Sequence, residues 1–231
     1  AAFQHYTRIV ARQIESVLEA LYSTPAGKNT IVIVLADHGD GMGSHRMVTK
    51  QVSFYEEMTN VPFIIAGPGI HPRQKPVEDL LTQPTIDLLP TLCELAGIPV
   101  PSSKPGISLA PFLKGEKQKR QHPYAASEWH SEYEVTVSPG RMIRSPRYKY
   151  THYLEGNGEE LYDMLKDKGE RRNLAHDPKY SKILAEHRAL LDDYIRRTQD
   201  DYRSLKVEAD KRWRSHAPGY PNHEGPLSLI H

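Results

Sequence analysis

The chain has 231 residues, 38% of them hydrophobic and 26% charged, with a formal net charge of +1. That length suits one large α/β domain, or one and a half modest ones, with a real core. The near-neutral charge argues against a nucleic-acid partner, no run approaches the ~20 apolar residues of a membrane span, and the single cysteine, Cys93, excludes an intrachain disulfide framework.

Ile9, Val10, Ile14, Val17, Leu18 and Leu21 are spaced at three and four, which predicts an amphipathic helix over 5–22 ended by Pro25 and Gly27. Charges interrupt this opening stretch throughout. It is therefore expected to come from the middle of a helical domain, not from a signal peptide, and the chain is expected to begin mid-protein. Residues 30–36 form a β-branched run that predicts a strand covered on both faces, as in a parallel sheet. A second strand is expected over 58–66, stopped by Gly67-Pro68-Gly69.

Pro84 opens a predicted helix reaching Ala96 and closed by Gly97, with Leu88, Leu89, Leu92 and Leu95 as its apolar face and Cys93 as a small buried hydrophobe. Residues 99–123, rich in proline, lysine and serine, read as a surface crossing between subdomains. Alternating stretches at 124–129, 142–153 and 160–164 predict a small antiparallel sheet. A charged helix follows over 180–205, with Ile183, Leu184, Leu190, Leu191 and Ile195 inward.

Between the first two strands lies a long polar connection, 37–57, at the carboxyl end of the first strand, the edge where open α/β sheets bind ligands. Asp37 offers hard oxygen donors for Ca²⁺ or Mg²⁺, His38 sits beside it, and Gly39 lets the chain turn. Lys50 is a compact cation suited to a tetrahedral oxyanion. Converging at a strand end, these groups describe a metal-plus-anion site. Each also has a plainer reading: a turn-capping aspartate, a hydrogen-bonded turn histidine, a solvated lysine. Asp40 reads as structural, and Glu56 and Glu57 as bracing the loop or pairing with an arginine. The mixed charges of 166–172 read as a solvated turn.

The full pattern is more specific. Asp37-His38-Gly39-Asp40, then Gly43, His45 and Lys50, is followed by Tyr55-Glu56-Glu57, Val61-Pro62-Phe63 and Gly67-Pro68-Gly69. Together with the segments 85–101, 142–153 and 159–175 in that order, it resembles the type I, formylglycine-dependent sulfatases of the alkaline-phosphatase-like superfamily. The resemblance covers roughly residues 5–205. It implies an α/β fold: a partial alkaline-phosphatase-like sandwich, mostly parallel sheet with helices, over 1–115, then an α+β subdomain over 116–231 with a small antiparallel sheet and a packed helix. It also implies Asp37 and His38 as metal ligands and Lys50 and His38 as catalytic groups. His45, Arg46, Lys50 and His130 would contact substrate, with Arg46 suited to a uronic acid carboxylate.

Three features of the family are missing: its nucleophile motif, the paired aspartates that open its metal site and its Lys-x-His segment. Cys93 lies in Thr-Leu-Cys-Glu-Leu-Ala, and Ser103-Lys104-Pro105 is followed by Gly106-Ile107, so neither carries the Cys/Ser-x-Pro-x-Arg nucleophile motif. The resemblance therefore reaches only the C-terminal half of a sulfatase, or somewhat less. It implies a parent enzyme hydrolysing sulfate esters, chiefly of carbohydrates, with Ca²⁺ (or Mg²⁺) and a formylglycine on an N-terminal complementary chain or segment. The expected compartment is periplasmic or secreted, or lysosomal in a eukaryote. Two alternatives stand beside it: a phosphodiesterase or phosphonate monoester hydrolase of the same superfamily, and a non-catalytic binding module.

Overall fold

The computed structural model describes residues 2–47, 53–78, 80–102, 105–118, 121–129, 139–154 and 158–205. They form two compact units, one of residues 1–50 with 60–121, the other of 51–59 with 122–231. Among the described residues no helix is long and apolar enough to cross a membrane.

In the first unit, helix α1 (Ala2–Tyr22) follows the predicted periodicity, but Ile9, Val10 and Val17 of its apolar stripe are exposed. Strand β1 (Val32–Leu35) pairs with β2 (Phe63–Ala66) in register Val32↔Ala66 to Leu35↔Phe63. The pair is antiparallel, which corrects the parallel neighbour expected of the β-branched run. Such a run specifies a strand but carries no information on its partner's direction. The second strand is also shorter than expected. Met58 sits in the one-turn helix α2 (Glu56–Thr59) of the second unit, and the extended chain resumes only beyond Asn60-Val61-Pro62. Acidic residues in a first helical turn and an extended bias before proline account for that division.

Helix α3 (Pro84–Leu95) runs as predicted, but its buried side is Asp87, Pro90 and Thr91, while Leu89 and Leu92 are exposed. Asp87 is fully buried and accepts the backbone N–H groups of Gln83 and Ile107, each at 2.8 Å. Thr91 Oγ1 donates to the Asp87 carbonyl at 2.6 Å and accepts from Leu109 N–H at 2.9 Å. The expected surface crossing is thus fastened to α3, burying Ile107, Leu109 and the start of the short helix α4 (Ala110–Leu113). Buried N–H groups need acceptors, and these two polar side chains supply them.

In the second unit, β3 (Ala125–Trp129), β4 (Gly140–Arg144), β5 (Tyr148–Tyr153) and β6 (Glu159–Asp163) form an antiparallel meander. The predicted single stretch 142–153 is a hairpin, turned at Ser145, whose N–H donates to the Tyr148 carbonyl at 2.9 Å. Helix α5 (Ser181–Thr198) covers one face, where Ile143, Tyr150 and Leu161 pack with Leu184 and Leu191. Period-two alternation sends Met142, Lys149, Tyr153, Glu160 and Tyr162 to the other face. There Phe54 packs on Met142 and Tyr153, and Tyr55 on Tyr162. Gly140 makes room: a Cβ there would lie 2.6 Å from the Phe54 ring.

Candidate active site

β1 ends at Leu35, and one residue on, Asp37-His38-Gly39 leads into a small self-closed loop. Asp37 Oδ1 accepts the His38 N–H at 2.9 Å, and its other oxygen lies 3.6 Å from His38 Nε2. His38 Nδ1 is 2.7 Å from the Gly39 carbonyl. A carbonyl only accepts, so Nδ1 carries a proton and Nε2 is the nitrogen that faces Asp37. A carboxylate oxygen and an imidazole nitrogen at this distance suit either a shared proton or a bound cation. The Asp37 side chain is 87% exposed, open to such an ion.

The fit to a divalent metal is chemically sound but incomplete. Carboxylate and imidazole are metal donors, and the Nδ1–carbonyl bond is the usual means of orienting a metal-binding histidine. Among the described residues, however, no group of three or more His, Cys, Asp or Glu could hold a metal. Asp37 and His38 alone do not make up such a set.

Downstream, Asp40 Oδ1 accepts the Met42 N–H at 3.1 Å, the structural role its position suggested. Ser44 N–H donates to the Gly41 carbonyl, Met47 N–H to Ser44, and Gly43 N–H to Met47 at 2.6 Å. Met47 is buried against Gly41, where a Cβ would sit 2.3 Å from the Met47 Cβ. This closure forces Met42, His45 and Arg46 into the left-handed region, at φ 45°, 49° and 61°. Such backbone costs on the order of 1 kcal/mol per residue and clusters at functional sites. His45 and Arg46 are adjacent in the 3₁₀ turn Ser44–Arg46, with Arg46 exposed. Two of the sequence-derived site residues, Lys50 and His130, lie outside the described residues.

The sequence reading missed a second polar cluster, on the inner face of the meander. Lys149, 1% exposed, places Nζ 2.7 Å from Glu56 Oε1, 2.8 Å from Glu170 Oε1 and 2.8 Å from the Phe54 carbonyl. The other Glu170 oxygen accepts the Glu56 N–H at 2.6 Å, and Arg144 Nε lies 3.9 Å from Glu56. Glu160 is buried beside them within hydrogen-bonding reach of Tyr153 and Tyr162. Burial, and then the neighbouring Glu170 carboxylate, push the Glu160 carboxyl up to about 7. Burial raises Glu170 as well.

Glu170 corrects the expectation of a solvated charged turn over 166–172. It alone of that run turns inward, at φ 50°, to neutralise a buried ammonium. The bracing role expected of Glu56 is present, and its partners are Lys149 and Arg144. A Tyr-Lys-Tyr alternation cannot by itself distinguish a buried lysine from an exposed one. The detectable signal was that Lys149 falls on the strand face opposite Tyr150.

A family model described as "N-sulphoglucosamine sulphohydrolase, C-terminal" matches residues 43–197. The Delta 4,5-hexuronate-2-O-sulfatase of Bacteroides thetaiotaomicron is 76% identical over 226 residues, 98% of this chain and 47% of that protein. Arylsulfatase K of Canis lupus familiaris is 34% identical, over 69% of this chain and 30% of its own length. Among solved structures, a 2-O GAG sulfatase shares 77% identity at a TM-score of 0.90, over 98% of this chain and 49% of that one. The phosphonate monoester hydrolase of Agrobacterium radiobacter is more distant, at 25% identity and a TM-score of 0.66 over 79% of this chain and 38% of its own. The chain thus spans about half the length of its 76%-identical relative. It belongs to the sulfatase family, through the region that family's model describes as C-terminal.

Proposed function

We propose that the protein to which this chain belongs hydrolyses sulfate esters of uronic-acid-containing glycans, with the 2-O-sulfate of an unsaturated hexuronate as its leading substrate. The observation that carries this reading is 76% identity across 98% of the chain to a Delta 4,5-hexuronate-2-O-sulfatase, joined to the Asp37–His38 strand end. Residues 1–115 would be the C-terminal part of the catalytic α/β domain and 116–231 its α+β subdomain. A formylglycine nucleophile and the remaining metal ligands would come from an N-terminal segment or chain. The compartment would be periplasmic or secreted.

A divalent cation, Ca²⁺ or Mg²⁺, would neutralise charge on the sulfate oxygens when bound. The Asp37 carboxylate and the His38 imidazole would help hold it. The Lys50 ammonium fixes the sulfate and offsets charge developing at the leaving oxygen. Arg46 pairs with the uronate carboxylate, whose planar geometry matches a guanidinium, and His45 and His130 contact the sugar. None of these steps needs covalent chemistry from this chain. Its contribution is fixed charge and orientation.

The test is the full-length protein assayed for sulfate release from a 2-O-sulfated unsaturated hexuronate and for hydrolysis of an aryl phosphodiester. The sulfated sugar is expected to be much the better substrate. Faster turnover of the phosphodiester would favour the phosphonate monoester hydrolase reading instead, and turnover of neither would favour a non-catalytic binding module.

A further inference from the structure

Residues 166–182 carry six cations, Lys166, Lys168, Arg171, Arg172, Lys179 and Lys182, against three carboxylates, Asp167, Glu170 and Asp177. The fold commits those carboxylates elsewhere. Glu170 turns inward to Lys149. Asp167 accepts the backbone N–H groups of Arg171 and Arg172, each at 2.9 Å. Asp177 accepts the Lys179 N–H at 3.0 Å and the Arg172 guanidinium at 3.1 Å. These bonds run from the turn after β6 to the 3₁₀ turn Pro178–Tyr180 that leads into α5, so the residues bearing the cations are contiguous on the second unit.

The cations themselves are left over. All six are exposed, and among the described residues Lys166, Arg171, Lys179 and Lys182 have no carboxylate partner. The arginines further along the chain are matched: Arg188 pairs with Glu159, Arg196 and Arg197 with Asp193, and Arg203 with Asp192. Lys179 and Lys182 also stand at the N-terminal end of α5, whose first turn holds no acid. The helix dipole makes that end positive, so stability alone would favour carboxylates there.

We infer that this strip is a binding surface for a sulfated glycan chain, made of residues to which the reaction assigns no role. The inference takes its ligand from the sulfated-glycan reading above. Sulfate is a permanent anion whose oxygens suit both the fork of a guanidinium and the point charge of an ammonium. Exposed cations lose little hydration on pairing, and several of them together hold a polyanion through contacts that salt screens. The backbone beneath them is already fixed by Asp167 and Asp177, so binding orders side chains only.

Two variants of the full-length protein test the strip: Arg171→Gln/Lys179→Gln within it, and Arg196→Gln/Arg203→Gln among the matched arginines. Each removes the same positive charge. A size-defined heparin oligosaccharide, titrated by calorimetry, should bind the first variant at least about tenfold more weakly than wild type and the second within about threefold. Hyaluronan, which carries carboxylates but no sulfates, should bind wild type far more weakly than heparin does. Wild-type affinity in the first variant would overturn the inference, and so would equal weakening in both variants, which would reduce the effect to net charge. Equal affinity for hyaluronan, or tighter binding of duplex DNA, would overturn the choice of ligand. Should the variants fail to fold, lysine acylation of the wild type decides: bound heparin is expected to shield Lys166, Lys179 and Lys182, and unchanged labelling would overturn the strip. A wild type that binds heparin but releases no sulfate from the 2-O-sulfated hexuronate would sink the functional reading and leave the strip standing.

Discussion

The Lys149 ammonium lies 2.8 Å from the carbonyl oxygen of Phe54, a residue 95 positions earlier in the chain. This contact, with the carboxylates of Glu56 and Glu170, turns the second face of a small sheet into a buried polar junction. Asp37 and His38, by contrast, stand exposed just beyond the end of β1.

The polar junction makes stability depend on pH in a defined direction. Glu160 titrates at about 7 against an ordinary 4.5. A carboxyl raised on folding contributes its full stability below pH 4.5 and loses it as pH rises through about 7, a change of about 3 kcal/mol. Glu160→Gln removes that titration. Urea unfolding of wild type and variant across pH 4.5–8 should therefore show wild type losing stability relative to the variant as pH rises. Burial depresses His187, which works in the opposite direction but is common to both proteins.

Asp87 predicts a different outcome. Asp87→Ala strands the buried N–H of Ile107 and the half-buried N–H of Gln83, and should cost about 1–3 kcal/mol in denaturant unfolding. An exposed apolar residue of the same helix, Leu92→Ala, should change stability far less.

The loop carrying His45 and Arg46 depends on Gly41. Gly41→Ala forces a methyl against Met47 and should cost about 1–3 kcal/mol by overpacking. Sulfatase activity should fall more than global stability does, a difference that comparing kcat/KM with the melting temperature would reveal.

Arg46 bears on specificity. Arg46→Ala should lower turnover of a sulfated uronate relative to a sulfated neutral sugar by roughly tenfold or more. An unchanged ratio would remove Arg46 from the uronate contact.

Much of this was legible in the sequence because it rests on local signals. Helical spacing marked α1 and α5, Pro84 marked the start of α3, and the Asp-His-Gly turn marked the end of β1. What escaped notice depends on partners distant in sequence. The direction of the β1–β2 pair, the inward turn of Glu170 and the burial of Lys149 are set by segments that meet only on folding. The leucines of α3 show the limit from the other side. Their spacing predicted an apolar inner face, yet the buried face is Asp87, Pro90 and Thr91, because the crossing segment brings backbone N–H groups that need acceptors.

The claim on which the rest depends is that Asp37 and His38 grip a divalent cation. Metal analysis of the purified full-length protein, wild type beside Asp37→Ala and His38→Ala, tests it most directly. The expected result is stoichiometric calcium or magnesium in wild type and its loss in both variants, at an unchanged melting temperature in chelator. Equal metal in all three proteins would contradict it.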